Sequence, residues 1–346
     1  MSDKALAQTT DVDSQKLIVT RRVLRFTLAM GVAILVSALV AWPLAFIVPV
    51  FVAKFLVDRQ APTLQTFYEL LASMLVIGFI AWVVTFGPVQ YPAVLMPVIA
   101  IAMLWAYYLF SDPRWNFFAL MVIIATLLLP YMAVLHPGMA GIVAFGLGLS
   151  GLVAVIIFSL FHVILPDLAP EKDELNAPEL SSESRQNAAF KALVLAYPVI
   201  CVFYILQITD ALLTMIFIAI LSLQTTENNT VKVSLFLLIT NVIGGILAIA
   251  FYNVIVISPS LIFYVGFMML LAIFFATKIY HNPEKAPIFA TIFSTLLVLL
   301  CSAVTSSDAD VANSFYIRIA QIFMVSVYMI VMSFFLETRQ WRWLKT

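Results

Sequence analysis

The longest uncharged stretch of this chain covers residues 115–166, 52 residues without Asp, Glu, Lys or Arg. A membrane crossing takes about 20 apolar residues, so this stretch has to hold two crossings, and His136-Pro137-Gly138 is its turn. The pattern continues through all 346 residues, which are 64% hydrophobic and 10% charged, with 18 basic and 18 acidic side chains. Mean hydropathy is +1.08. A soluble domain is about 45–50% apolar and about 25% charged, because its surface has to face water. The composition therefore excludes a water-soluble enzyme, a nucleic-acid binder and a disordered chain. It implies an integral membrane protein that crosses the bilayer many times.

Cys201 and Cys301 lie inside apolar segments with no disulfide or metal-ligand spacing. The first twenty residues are polar and include Asp11 and Asp13, so no cleavable signal peptide is expected and the first crossing acts as the signal.

Breaking the apolar runs at Pro, Gly and charge predicts helices over 24–41, 43–57, 65–86, 91–110, 115–134, 139–164, 188–208, 210–223, 232–252, 258–279, 286–303 and 310–336. Charge placement settles the first pair. If residues 24–57 break at Trp42-Pro43, then Lys54 and Arg59, Arg114, Lys172 and Arg185, Lys232, Lys278 and Lys285, and Arg339, Arg342 and Lys345 all fall on the side of the N-terminus. The opposite connections, around Pro43, Gly87-Pro88, His136-Pro137, Asp210, 253–260 and 306–310, contain no Lys or Arg. The positive-inside rule then puts both termini in the cytoplasm. A single span over 24–57 would turn Lys54, Arg59 and Arg114 outward, against the same rule.

The expectation is an all-α polytopic protein of the inner (plasma) membrane with about twelve transmembrane helices in two parallel six-helix repeats. A cytoplasmic tail (1–20) leads into the first repeat (21–165). An acidic cytoplasmic linker (166–187), the second repeat (188–337) and a cytoplasmic C-terminal tail (338–346) follow. Two readings of the linker stand, a plain tether and a regulatory segment.

The repeat is visible in the residues themselves. Leu70-Leu71-Ala72-Ser73 with Gly78 and Ala81 corresponds to Leu237-Leu238-Ile239-Thr240 with Gly245 and Ala248 at a shift of 167, and Pro92 maps to Pro259 at the same shift. Asp112-Pro113 maps to Asn282-Pro283 at 170, and Thr126-Leu127-Leu128 to Thr295-Leu296-Leu297 at 169. An even number of crossings per copy gives both copies one orientation, related by a pseudo-twofold axis along the membrane normal. A site or pathway is expected between the halves.

Arg21-Arg22-Val23-Leu24-Arg25 before a first helix, Trp42-Pro43 opening a short second helix, four more crossings and a repeat of all six together resemble the fusaric-acid-resistance (FUSC-like) and aromatic-acid-exporter superfamily over residues 20–337. The plant aluminium-activated malate channels are similar to one six-helix half. Larger exporters of this kind carry a cytoplasmic domain between the halves, where this chain has a linker of about twenty residues. Leu71-Ala72-Ser73 replaces the Gly-Thr pattern of the third helix. The resemblance implies efflux of hydrophobic or aromatic carboxylic acids, with a periplasmic membrane-fusion adaptor as partner.

Ionisable groups inside a membrane are costly and are the first functional candidates. Arg318 lies roughly 9–12 Å below the outer end of helix 310–336 at 1.5 Å per residue. Ser314, Arg318, Gln321 and Tyr328 follow at i, i+4, i+7 and i+14, a polar stripe on one helix face. Two readings stand: a substrate-binding stripe in which the Arg318 guanidinium holds a carboxylate, or an Arg318 that reaches the outer interface or pairs with Asp308, Asp310 or Asp210. Asp210 is either a helix N-cap or a proton-coupling carboxylate. Glu69, about one turn into its helix, lines a possible inner mouth or snorkels to the interface. Asn241 with Thr240 is expected to bond between helices.

His162 and His281 near one face and His136 in an outer loop cannot form one metal site, so no metal and no cofactor are expected. Gly146-Leu147-Gly148-Leu149-Ser150-Gly151 fits a dinucleotide-binding pattern, but with no preceding strand it reads as a helix-packing surface. Asn228-Asn229-Thr230 matches a glycosylation sequon on the cytoplasmic side, and Trp341-Arg342-Trp343 reads as an interface anchor. An enzyme is not expected, because no paired carboxylates or nucleophile-base combination lie in the spans. The leading expectation is a transporter of small organic anions in the lipid bilayer, with no nucleic acid bound. An anion channel and a non-transporting membrane scaffold subunit are the alternatives.

Overall fold

The computed structural model describes residues 2–40, 42, 44–87, 91–136, 138–167, 182–206 and 231–305, with isolated positions within 214–222 and 316–335. The described residues are helical with short connections. Among the described residues ten α-helices have full bounds: α1 (Ser2–Val40), α2 (Ile47–Asp58), α3 (Leu64–Phe86), α4 (Pro92–Phe110), α5 (Asn116–Leu135), α6 (Met139–Ile164), α7 (Ser182–Leu206), α8 (Val231–Ile257), α9 (Leu261–His281) and α10 (Ala286–Thr305). Nine stretches among the described residues are long and apolar enough to cross a membrane, so the chain is a multi-pass membrane protein. The predicted helices 210–223 and 310–336 fall largely outside the described residues.

Three boundaries differ from the sequence reading. Residues 2–20, expected as a tail, continue into α1. No Pro or Gly occurs between residues 2 and 30, so nothing there stops a helix. α7 starts at Ser182, ahead of the predicted start at 188, with Glu183 in its first turn. The third difference is α2, only 12 residues and so about 18 Å long, short of a bilayer's roughly 30 Å core. It is entered through a turn at Leu44, which takes a left-handed φ of 67°. That conformation is strained for a branched residue, and it is held by Ser150 of α6. The Ser150 hydroxyl accepts from Trp42 Nε1 (3.0 Å) and lies 3.0 Å from the Leu44 carbonyl.

The long uncharged stretch divides where expected. α5 ends at Leu135, and Gly138 at φ 90° opens α6. α5 is buried without a break from Phe117 to Tyr131. It sits against α3, α4 and α6, and the hydroxyl of Tyr204 on α7 donates to its Leu127 carbonyl (3.2 Å). α4 also packs on α7, and α1 packs along α9. α3 lies on α5, and α8 lies on α10. With lipid outside, such contacts are stabilised mainly by close packing and interhelical hydrogen bonds. Gly151 shows the closeness, since a Cβ there would come within 2.6 Å of Met121 Cε and 3.2 Å of Leu70 Cδ1. The glycine pattern 146–151 thus serves packing against α3 and α5.

Candidate functional site

Of the expected stripe, Gln321 and Tyr328 lie among the described residues, while Ser314, Arg318 and Asp210 lie outside them. Thr214, fully buried, donates from Oγ1 to Gln321 Oε1 at 2.7 Å. This bond joins the segment 210–223 to the segment 310–336. The Tyr328 hydroxyl is buried with no partner among the described residues. Asn241 Oδ1 accepts from Thr295 at 2.6 Å, the interhelical bond expected for it. Among the described residues no group of three or more His, Cys, Asp or Glu is placed to hold a metal.

Glu69 lies near the start of α3. Its side chain is 0% exposed. Arg59, from the α2–α3 connection, donates to Oε1 at 2.7 Å and to Thr66 at 2.6 Å. Oε2 accepts the backbone N–H groups of Phe117 (3.0 Å) and Phe118 (3.2 Å). These are among the orphan donors at the start of α5, whose own N-cap residue, Trp115, makes no side-chain cap bond. A carboxylate from α3 therefore caps α5 and meets the positive end of its dipole. Trp115, a poor capping residue ahead of a helix, was the only signal in the sequence that a cap had to come from elsewhere.

A second charged cluster joins α1 to the end of α6. Arg22 Nε approaches both oxygens of Asp167 (2.9 and 3.2 Å), and Arg25 donates to Asp167 Oδ2 (3.3 Å) and the Leu165 carbonyl (3.1 Å). Cations at a helix C-terminus complement its dipole. Nearby, the Tyr280 hydroxyl of α9 donates to the Leu56 carbonyl of α2 (2.7 Å). A third cluster fixes the start of α7, where Arg185 lies 3.6 Å from Asp112 and 4.8 Å from the ring centroid of Tyr108. Contacts gather Arg22, Arg25, Arg59 and Arg185 at one end of the bundle, and their acidic partners across the helix ends escaped the sequence reading.

No curated protein and no solved structure matches this chain. Residues 22–161, running from within α1 to near the end of α6, match the family model described as "Protein of unknown function (DUF2955)", so the first six helices are what this chain shares with that family.

Proposed function

We propose that the chain is a two-repeat, twelve-crossing permease of the inner membrane that exports hydrophobic or aromatic carboxylic acids. In this reading both termini are cytoplasmic, export is coupled to protons and a periplasmic adaptor receives the cargo. The adaptor and the cargo class come from the resemblance to the aromatic-acid exporters. The family match over 22–161 coincides with one six-helix unit, which agrees with a unit that was duplicated.

Contacts exchanged between the two proposed halves support the repeat. At a shift of 167–170, α4 and α7 of one contact correspond to α9 and α1 of another, and α3 on α5 corresponds to α8 on α10. The 3-10 turns Pro113–Trp115 and Pro283–Lys285 occupy matching places, each leading directly into a helix. Tyr107 reaches Ser222 (2.7 Å) as Tyr280 reaches Leu56 (2.7 Å), so each proposed half sends a tyrosine to the other's second helix.

The observation that carries the substrate site is the Thr214–Gln321 bond. Thr214 stands four residues after Asp210 and Gln321 three after Arg318, spacings that share a helix face. The Arg318 guanidinium suits a carboxylate, and Asp210 supplies a group to carry the proton. An interior filled by Tyr107, Tyr131, Phe26, Phe51 and Phe158 favours a carrier that closes around its cargo over a standing aqueous pore.

The test is flux of aromatic acids in proteoliposomes with Arg318→Lys and Asp210→Asn. Arg318→Lys is expected to lose at least about tenfold in flux, the effect of losing a charge-assisted fork, and Asp210→Asn to uncouple flux from the pH gradient. Normal, gradient-driven flux in both variants would overturn the site.

A further inference from the structure

Where α1 meets the end of α6, three guanidiniums gather around one carboxylate. Arg22 Nε lies 2.9 and 3.2 Å from the oxygens of Asp167, and Arg25 reaches Asp167 Oδ2 at 3.3 Å and the Leu165 carbonyl at 3.1 Å. Arg21 Nη1 is 3.5 Å from the Pro166 carbonyl. The other ion pairs among the described residues match one cation to one carboxylate: Lys54 with Asp58, Arg59 with Glu69 and Arg185 with Asp112. Here three cations against one carboxylate leave an excess of two positive charges.

Much of the donor capacity is unspent. Arg22 commits Nε to Asp167, so among the described residues its two terminal nitrogens are open, and Arg21 commits Nη1 in one long bond. The Arg22 side chain is 25% exposed, whereas Arg25 is 3% exposed, its Nε without a partner among the described residues. Arg25 therefore holds residues 165–167 against α1, while Arg21 and Arg22 stay reachable from outside.

Depth and surroundings narrow the ligand. The α6 span ends at Ile164, so the cluster follows at the level of lipid headgroups. Exposed apolar side chains lead up to it on both helices, Leu24 and Leu28 on α1 and Leu160, Val163 and Ile164 on α6. A soluble anion, or an acidic peptide such as the linker with Glu171, Asp173 and Glu174, makes no use of that apolar approach. A lipid matches both parts, with a phosphate above acyl chains, and basic clusters at the inner face of a membrane attract anionic lipids.

We propose that Arg21 and Arg22 bind the phosphate of an anionic phospholipid whose acyl chains lie along the exposed apolar side chains of α1 and α6. Asp167 fixes the angle of the Arg22 fork toward that phosphate. The site stands whether or not the chain moves carboxylic acids.

The test uses the purified full chain in neutral detergent, with phosphatidylglycerol and phosphatidylcholine of the same acyl chains as probes. Native mass spectrometry counts bound lipid, and thermal unfolding reads the stabilisation that binding confers. Phosphatidylglycerol is expected to bind and to raise the unfolding temperature, while phosphatidylcholine and inorganic phosphate at equal concentration do neither. Arg21→Gln with Arg22→Gln should weaken phosphatidylglycerol binding about thirtyfold, the effect of removing two cations beside an anionic headgroup. Lys278→Gln with Lys285→Gln removes the same charge from exposed positions and should leave binding unchanged. Arg21→Gln alone gives up one long bond, so it should fold whatever the double variant does, and it should weaken binding about fivefold.

Equal affinity for the two lipids overturns the proposal. So does an equal loss in the two double variants, which would make the preference one of net charge, and so does unchanged binding in Arg21→Gln. Phosphatidylglycerol binding that appears only after Glu171→Gln, Asp173→Asn and Glu174→Gln also overturns it, by assigning the arginines to the acidic linker. Displacement of the lipid by inorganic phosphate at equal concentration overturns it by assigning the site to a soluble anion.

Discussion

Glu69 shows what a single charge does inside this bundle. With both oxygens occupied and no exposure, it holds the α2–α3 connection through Arg59 and closes the start of α5. Removing one partner of a buried pair leaves the other uncompensated, which costs about 3–5 kcal/mol. Glu69→Ala should therefore lower stability by about that amount, read by thermal unfolding in detergent, while Glu284→Gln in an exposed turn changes little. A double Glu69→Met, Arg59→Met variant should lose less than the sum of the two single variants. Near-native stability of Glu69→Ala would remove the capping account. The sequence marked Glu69 as unusual but not its role, because besides Arg59 its partners are backbone amides 48 and 49 positions away. Arg318 stood out for a different reason, as the one cation on the wrong side of a charge pattern.

At the scale of elements, neighbouring glycines of α8 make a sharp comparison. A Cβ on Gly244 would lie 2.9 Å from Thr295 Cβ and 3.0 Å from the Ile292 carbonyl, whereas one on Gly245 meets nothing within 4 Å. Gly244→Val should destabilise by about 1–3 kcal/mol through overpacking against α10. Gly245→Ala should be neutral or stabilising by up to about 1 kcal/mol, from higher helix propensity. Equal effects in a thermal-shift comparison would contradict this packing. Helix positions were readable because Pro, Gly and charge punctuate the apolar runs, as at 136–138. Which face of each helix meets protein was not readable, since lipid and a neighbouring helix accept the same apolar side chains. A Cβ added at Gly245, or at Gly78, with which it aligns at a shift of 167, meets nothing within 4 Å.

For the whole molecule, charge placement implied one cation-rich end, and the clusters around Asp167, Glu69 and Asp112 gather there. The proposed topology predicts that single cysteines placed at residue 136 and at residue 284, in a background lacking Cys201 and Cys301, label from opposite sides of the membrane. Labelling of both from one side would contradict the even-numbered repeat. The pairing of α1 with α9 and of α4 with α7 was invisible in the sequence, because even where a charge marks it, at Arg185 and Asp112, the partners lie far apart along the chain.

The proposed movement of carboxylic acids is measured directly as flux of an aromatic-acid panel in proteoliposomes of the purified chain under an imposed pH gradient. Gradient-driven accumulation of at least one aromatic acid above protein-free vesicles is expected, abolished by a protonophore. Flux equal to that of protein-free vesicles for every acid, with or without the gradient, would contradict it.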